Sequence, residues 1–322
     1  MKLVAKIRFI FNSGKNPKWK YYLLSAIREA WPKILLRSRL SQRLAEAERR
    51  PDYEYIKRRR DYYCRLSGKR GAGSEAICLS ELKVKKPKVY YHDTMRYTRW
   101  FNPDLKLQLL AGDIVHVPET PCVVKSRPLV ADVACSTLLK LDRVRHFIFV
   151  KDKLRWEEKK SMVLFRGKVG GKESRREFMY RWFGNPLVNS GDVGRNPERP
   201  EWHSRKLTIY EQLRYKFIMA IEGNDVASNL KWIMSSNSLA VMPEPTCETW
   251  FMEGMLKPDF HYVRVKPDFS DLEEKVDYYL THPDEAEAII RNAHAWVDQF
   301  RDEKREDLIS LMVLRKYLDS VN

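Results

Sequence analysis

Between residues 160 and 300 the chain alternates short apolar runs with helical patterns, and that alternation restricts the fold more than any other feature. Met162-Val163-Leu164-Phe165 and the runs 215–221, 238–242 and 261–265 each have the length of a buried strand. Helical patterns lie between or after them, at about 174–183, 208–214, 226–235, 272–280 and 284–300, the last introduced by His282-Pro283. Alternation of this kind predicts a parallel sheet covered by helices, an α/β architecture.

The rest of the chain is less regular. Tyr21, Leu24, Ile27, Trp31 and Leu35 recur at helical spacing within 18–50, with a break expected at Pro32. A second basic helix is expected over 54–66, and the Gly-rich stretch 68–74 reads as a loop. Val89-Tyr90-Tyr91 and 147–150 are strand candidates. Residues 112–118 look like a strand end running into a loop that 126–128 closes. Residues 151–160 form a charged connector, 185–202 a loop, 249–255 a short helix and 303–318 the last helix. This divides the chain into a basic helical region (1–75), an N-terminal Rossmann-like domain (76–160), a C-terminal Rossmann-like domain (161–300) and a C-terminal helix (301–322).

Charge is concentrated at one end. Residues 1–70 hold 20 Lys/Arg against 6 Asp/Glu, so most of the net +17 of the chain lies there. Such a region attracts a polyanion: nucleic acid, an anionic membrane face or a phosphorylated glycolipid. No apolar run is long enough to span a bilayer, and the first eleven residues are too often interrupted by charge for a secretory segment. The five cysteines are scattered, which fits reduced thiols better than disulfides or zinc. The chain also contains no DxD, HExxH, GxSxG or GxxxxGK[ST] pattern, so a metalloprotease, a serine hydrolase and a P-loop ATPase find no support.

Four places could carry chemistry. After the strand 215–221, Gly223 allows a tight turn, Asn224-Asp225 can cap a helix, and small Ala227 and Ser228 would let a ligand reach the backbone amides. An ordinary strand–helix connection has the same look. Phe165-Arg166-Gly167, followed by Lys172, Arg175 and Arg176, could clamp a phosphate or form a solvated basic loop. Glu244 and Glu248 could accept hydrogen bonds from a ribose, or Glu248 could simply favour a helix N-terminus. Asp113 and His116 could each serve as a base on a loop, or be turn and surface residues.

The block 215–271 (YKFIMAIEGNDVASNLKWIMSSNSLAVMPEPTCETWFMEGMLKPDFHYVRVKPDFSD) resembles the CAP10-like, lipopolysaccharide A protein group, glycosyltransferase family ninety, which includes the protein O-glucosyltransferases. Phe165-Arg166-Gly167 fits that family's Phe-Arg-Gly element. Residues 112–119 with Lys125-Ser126-Arg127-Pro128 look like a loop of its bacterial members, which puts Arg127 on the acceptor side. The resemblance covers roughly 85–300. It implies a GT-B fold, UDP-hexose donors and inversion at the anomeric carbon. By position, Arg166 and Gly167, with Lys172 and Arg175, would hold the diphosphate. Gly223, Asn224, Asp225, Ala227 and Ser228 would cradle the phosphates and donor sugar, with Lys231 one turn further. The chain departs from the family at two positions. The protein-glucosyltransferase branch has an Asp before a Tyr-Pro pair, whereas here His116 precedes Val117-Pro118 and Asp113 lies three residues earlier; Asp113 is the simpler analogue. Asn229 stands where that branch has Arg.

The expectation is therefore an inverting, UDP-sugar-dependent glycosyltransferase with a lipopolysaccharide or other surface-glycan acceptor. It would need no metal, would not bind nucleic acid, and would be cytoplasmic and peripheral at the inner membrane face through residues 1–70. The competing expectation is a nucleic-acid-binding protein using the same basic helices.

Overall fold

The computed structural model describes residues 13–322. The first eleven residues, and the part of the basic region that includes them, lie outside the described residues. The chain divides into two compact units. One, here the sheet unit, comprises residues 13–16, Arg145–Pro245 and Met255–Gln299; the other, the helical unit, comprises Pro17–Val144, Thr246–Gly254 and Phe300–Asn322.

The helical unit begins with α1 (Lys18–Ala30), α2 (Lys33–Ser38), α3 (Leu40–Glu48) and α4 (Tyr53–Tyr63). The chain breaks between α1 and α2 at Trp31-Pro32, where the proline has no N–H to continue a helix. β1 (Ile77–Cys78), α5 (Lys88–Thr98), β2 (Lys106–Leu107), β3 (Leu109–Leu110), β4 (Cys122–Val124), β5 (Ser126–Pro128) and β6 (Ser136–Leu138) follow. β3, β4 and β6 form a three-stranded parallel sheet, and β1 pairs with β2 antiparallel. The strand expected at 89–91 is instead the first turn of α5. Tyr90, Asp93, Thr94, Tyr97 and Thr98 are its buried positions, a helical period that a three-residue aromatic run is too short to reveal.

α6 (Arg143–His146) leads into 147–150, the second expected strand, which is also corrected. Ile148 and Val150 are buried and Phe147 and Phe149 half-buried, so the period of two is real. The backbone nevertheless bonds to side chains: Asn16 Nδ2 donates to the Phe147 carbonyl, and the Val150 amide donates to Ser235 Oγ at 2.9 Å. A period of two marks an extended chain but does not supply a neighbouring strand.

The sheet unit then runs β7 (Lys160–Leu164), α7 (Glu173–Trp182), β8 (Val188–Asn189), α8 (Ile209–Gln212), β9 (Tyr215–Met219), α9 (Leu230–Met234) and β10 (Leu239–Met242). After β11 (Cys247–Thr249), which belongs to the helical unit, come β12 (Val263–Arg264), α10 (Leu272–Thr281) and α11 (Pro283–Asp298). The five-stranded sheet has the order β12-β10-β9-β7-β8 and every pairing in it is parallel, as the alternation predicted. Val163 faces Phe217, Leu164 faces Ile218, and Met219 faces Val241. All these side chains are buried because helices cover both faces, which is why the strands read as continuous apolar runs rather than alternating ones.

α12 (Glu303–Val321) completes the helical unit, where it packs against α3 and α4. Its first turn carries Glu306, fully buried, whose carboxylate accepts from Arg59 Nη1 (2.5 Å), Lys140 Nζ (2.9 Å) and Trp250 Nε1 (2.7 Å). Tyr63 stacks on Trp250 with ring centroids 3.8 Å apart. Of the helix expected over 249–255 only a single 3₁₀ turn, Glu253–Met255, forms; Thr249 ends β11 and a turn follows it. The Glu253 carboxylate accepts from the Thr249 amide and hydroxyl, and Met252 adopts a left-handed φ of 57° between them.

Candidate functional site

In chain order the sheet strands run β7, β8, β9, β10, β12. In space β8 lies on one side of β7, and β9, β10 and β12 lie on the other. The connections leaving β7 and β9 therefore diverge, and the crevice outside their carboxyl ends is where an open parallel sheet offers backbone and loop groups to a ligand. The loops at that point are 165–172 and 220–229, the two that carry most of the donor-site candidates.

Arg175, near the start of α7, ties these loops together. Its Nε donates to the Glu222 carbonyl (3.0 Å), Nη2 to the Ile221 carbonyl (2.9 Å) and Nη1 to the Lys168 carbonyl (3.0 Å). Lys172 Nζ donates to Asn224 Oδ1 across the same gap. Gly223 leaves room for this arrangement, since a Cβ there would come within 3.1 Å of Arg175 Nη2. Gly167 is equally confined: a Cβ would lie 2.8 Å from the ring of Phe165 in the core.

Arg166 follows the end of β7. Its Nη1 donates to the Asn189 and Phe165 carbonyls (2.8 Å each) and Nη2 to Asn189 Oδ1 (2.6 Å), while Asn189 Nδ2 donates to the Tyr215 hydroxyl. Its Nε is buried and has no hydrogen-bond partner among the described residues. Burial lowers the pKa of both Arg166 and Arg175 from the ordinary arginine value; for Arg175, Asp192 opposes the shift. Both stay charged at neutral pH, because a guanidinium does not deprotonate in that range. Bonds to neutral carbonyls fix where these charges sit without cancelling them. The result is a pre-positioned cationic rim suited to phosphate oxygens.

One part of the expected site is corrected. The helix predicted from residue 226 starts only at Leu230 and is a single short turn, so no helix N-terminus faces residues 223–228. Asp225, Val226 and Ala227 are buried, and Asn229 Nδ2 donates to the Met219 carbonyl (2.9 Å), which folds the segment back on β9 before the helix can begin. Ser228 is exposed. Lys231, in α9, is fully buried. Glu244, after β10, lies at the surface and pairs with Arg264 at 2.7 Å.

The other candidates lie in the helical unit. Glu248 is on β11 rather than in a helix, opposite Arg127 on β5. Both are fully buried. Arg127 Nε donates to Glu248 Oε1 (2.8 Å), Nη2 to the Tyr62 carbonyl (2.8 Å) and Nη1 to the Ser136 carbonyl (3.1 Å), while the Tyr62 hydroxyl donates to Glu248 Oε2. These two residues thus sit in the interior, bracing β5 against β11 and the end of α4. Asp113 is half-buried; Lys125, buried beneath it, donates to Asp113 Oδ1, and the Tyr90 hydroxyl approaches the same oxygen at 3.4 Å. His116 is exposed on the loop beyond.

Sequence reasoning passed over Asn189, Ser190, Gly191 and Asp192. Asn189 ends β8, a strand of only two residues, and the other three follow it, inside a stretch read as loop. Asp192 is fully buried and its Oδ1 accepts from the Gly194 amide (2.7 Å) and the Val169 amide (3.3 Å); Ser190 Oγ is buried with no partner among the described residues. Gly191 was the available signal, since a Cβ there would lie 2.4 Å from Ser204 and 3.3 Å from the Arg166 guanidinium carbon. No cluster of three or more His, Cys, Asp or Glu among the described residues is arranged to hold a metal ion.

Comparison with known proteins places this geometry in a family context. The family model "Glycosyl transferase family 90" matches residues 139–317. The O-glucosyltransferase LpsA of Dichelobacter nodosus is 37% identical over 302 residues, covering 93% of this chain and 95% of that protein. Protein O-glucosyltransferase 3 of Rattus norvegicus is 26% identical over 170 residues, covering 51% of this chain and 33% of that one.

Proposed function

The chain belongs to glycosyl transferase family 90, and on that premise we propose that it transfers a glucose-like hexose from a UDP-sugar to a hydroxyl of a lipopolysaccharide or other surface-glycan acceptor, inverting the anomeric carbon. The observation that carries donor binding is the rim at the β7/β9 switch point, where Arg175 and Lys172 join the two loops and Arg166 is held by Asn189. The identity over nearly the whole length of an O-glucosyltransferase supports the hexose. As in a GT-B enzyme, the sheet unit takes the donor and the helical unit activates the acceptor.

In this reading a base in the helical unit, Asp113 or His116, takes the proton of the acceptor hydroxyl. The oxygen attacks the anomeric carbon, and the carbon–oxygen bond to UDP breaks with its electron pair passing to the diphosphate. A single displacement inverts the centre. Arg166, Lys172 and Arg175 stabilise the charge that grows on the leaving group, and no metal is called for. The partners are a UDP-sugar, a glycan or glycolipid acceptor and an anionic membrane face reached through the basic N-terminal helices, with the protein peripheral on the cytoplasmic side. No helix among the described residues is long and apolar enough to cross a membrane.

The test is UDP binding by thermal shift together with turnover of a panel of UDP-sugars. UDP should raise the melting temperature, and Lys172→Ala should weaken UDP binding about 10- to 100-fold, the loss of one charge-assisted hydrogen bond, without lowering the melting temperature of the unliganded protein. A protein stabilised by an oligonucleotide and indifferent to UDP would reverse the reading in favour of nucleic-acid binding.

A further inference from the structure

α1 is built inside out. Its inward residues are polar: Ser25 is buried, the Tyr21 hydroxyl donates to Asp93 Oδ1 on α5 (2.8 Å), and Glu29 meets His92 Nδ1 (2.5 Å). Its apolar residues face outward. Trp19, Leu23, Ile27 and Trp31 are exposed, and the surface continues onto α2 with Leu35 and with Ile34, which is 73% exposed. A helix that turns its polar side to the protein and a Trp- and Leu-rich side to solvent gains nothing from that orientation in water; it does gain from an apolar medium.

Bordering this face, with Ile27 and Trp31 in its lining, is a cavity of about 340 Å³ between α1, α2, α3, α5 and α12. Arg28, Arg43, Arg96 and Arg99 line it, with Asp307 as the one carboxylate in its wall. Arg96 is paired with Asp307 at 2.9 Å and Arg43 with Glu46. Arg99 is buried; its two Nη groups cap the carbonyls of Arg28, Glu29 and Trp31 at the end of α1, and its Nε is buried without a partner among the described residues. Arg28 is exposed, and its guanidinium has no hydrogen bond or ion pair among the described residues. Partial desolvation lowers its pKa, the neighbouring cations Arg96 and Arg143 lower it further, and Asp307 pulls the other way. Acidic groups do approach from the adjoining elements: Glu29 on α1, Asp93 on α5, and Glu303 and Asp307 on α12. The first is taken by His92, the second by Tyr21 and the Arg143 amide, the third by Arg143 (3.6 Å) and Arg96 (3.8 Å), and the fourth by Arg96 and Tyr97. The cavity therefore presents two guanidinium groups, those of Arg28 and Arg99, that form no ion pair among the described residues, beside an apolar surface.

We propose that this cavity binds the phosphomonoester headgroup of a membrane lipid, with Arg28 as the direct ligand, while the outward face of α1 and α2 rests in the acyl region. Charge complementarity selects the ligand: a phosphomonoester carries close to two negative charges at neutral pH and three acceptor oxygens. The proposal rests on the membrane part of the proposed function and adds a headgroup site to it. General attraction of a basic segment to an anionic surface does not distinguish phosphomonoester from phosphodiester at equal surface charge; a cavity with an unspent arginine does.

The test is co-sedimentation of the whole protein with phosphatidylcholine vesicles containing either phosphatidic acid or phosphatidylglycerol, adjusted to equal zeta potential, alongside UDP thermal shift. The wild type should bind the phosphatidic acid vesicles roughly fivefold more tightly, the share of one arginine near an anionic surface. Arg28→Gln should bind both kinds alike, with the UDP shift unchanged. Ile34→Asp should weaken binding to both kinds equally while keeping the preference. Equal binding of the wild type to both vesicles, lowered equally by Arg28→Gln, would overturn the headgroup site and leave the membrane reading standing. No vesicle binding, with UDP still stabilising, would overturn both; so would a concentration-dependent dimer that Ile34→Asp makes monomeric, or an oligonucleotide that binds more tightly than either vesicle. Loss of the UDP shift in the wild type would strike the donor reading and not this one.

Discussion

Replacing Glu306 by Gln changes little volume and removes one charge from the middle of the helical unit. The carboxylate is the counter-ion for both Arg59 and Lys140, each only about 3% exposed. Burial drives the Glu306 pKa up, but Arg59 and Lys140 outweigh it and hold the group below its ordinary range. In the variant the two cations respond differently. Burial already lowers the Lys140 pKa, against the pull of Glu306, so without that acid Lys140 can shed its proton. Arg59 cannot. The cost is therefore that of one buried, uncompensated guanidinium, about 3–5 kcal/mol. The Tyr63 and Tyr55 hydroxyls, together with the Phe300 ring at 4.7 Å, stay in place around Arg59 and pull the figure toward the lower end. At about 2–4 °C per kcal/mol for a domain of this size, the melting temperature should fall by roughly 6–12 °C or somewhat more. Calorimetry reads it directly. The triple variant Arg59→Met, Glu306→Leu, Lys140→Met removes every charge and should recover most of the loss, because an apolar replacement of a buried ion cluster is often neutral or better. A shift below about 2 °C for Glu306→Gln, or a triple variant as unstable as the single one, would refute the reasoning.

Other outcomes follow from the same contacts. With the Glu306 pKa depressed in the folded state, its stabilisation is complete above the ordinary carboxylate range, near pH 4–5, and is lost as pH falls through the folded value; acid titration of the wild type should show that loss and Glu306→Gln should lack it. Asn189→Ala removes one of the two acceptors by which Asn189 positions Arg166, since the backbone carbonyl remains, so UDP affinity should fall about threefold to tenfold while hexose turnover at saturating donor changes less. Gly191→Ala places a methyl 2.4 Å from Ser204 and should cost about 1–3 kcal/mol in chemical denaturation. If His116 is the base, His116→Ala should abolish turnover and Asp113→Asn should spare it; if Asp113 is, Asp113→Asn should abolish turnover, while also removing the carboxylate to which buried Lys125 donates.

The parallel sheet, four of its five strand positions and the loops that carry the donor-site candidates were legible in the chain, because strand and helix periods are local and this sheet is buried on both faces; the two-residue β8 was too short to show. Arg166, Lys172, Arg175 and Gly223 could be picked out for the same reason: they stand at the ends of recognisable elements. What they hold could not be read, since Asn189 lies 23 residues from Arg166 and Glu222 lies 47 from Arg175. Glu248 shows the limit most sharply. Its local pattern suits a helix start, yet it pairs with Arg127, 121 residues away, and that pairing makes the segment a strand. The same holds for α1. Periodicity alone located the helix and its apolar stripe, but an amphipathic pattern has no sign: it does not say which side faces in. The hydroxyl of Tyr21 on Asp93 and the carboxylate of Glu29 on His92 decided that, turning the polar side to the protein and the tryptophans outward.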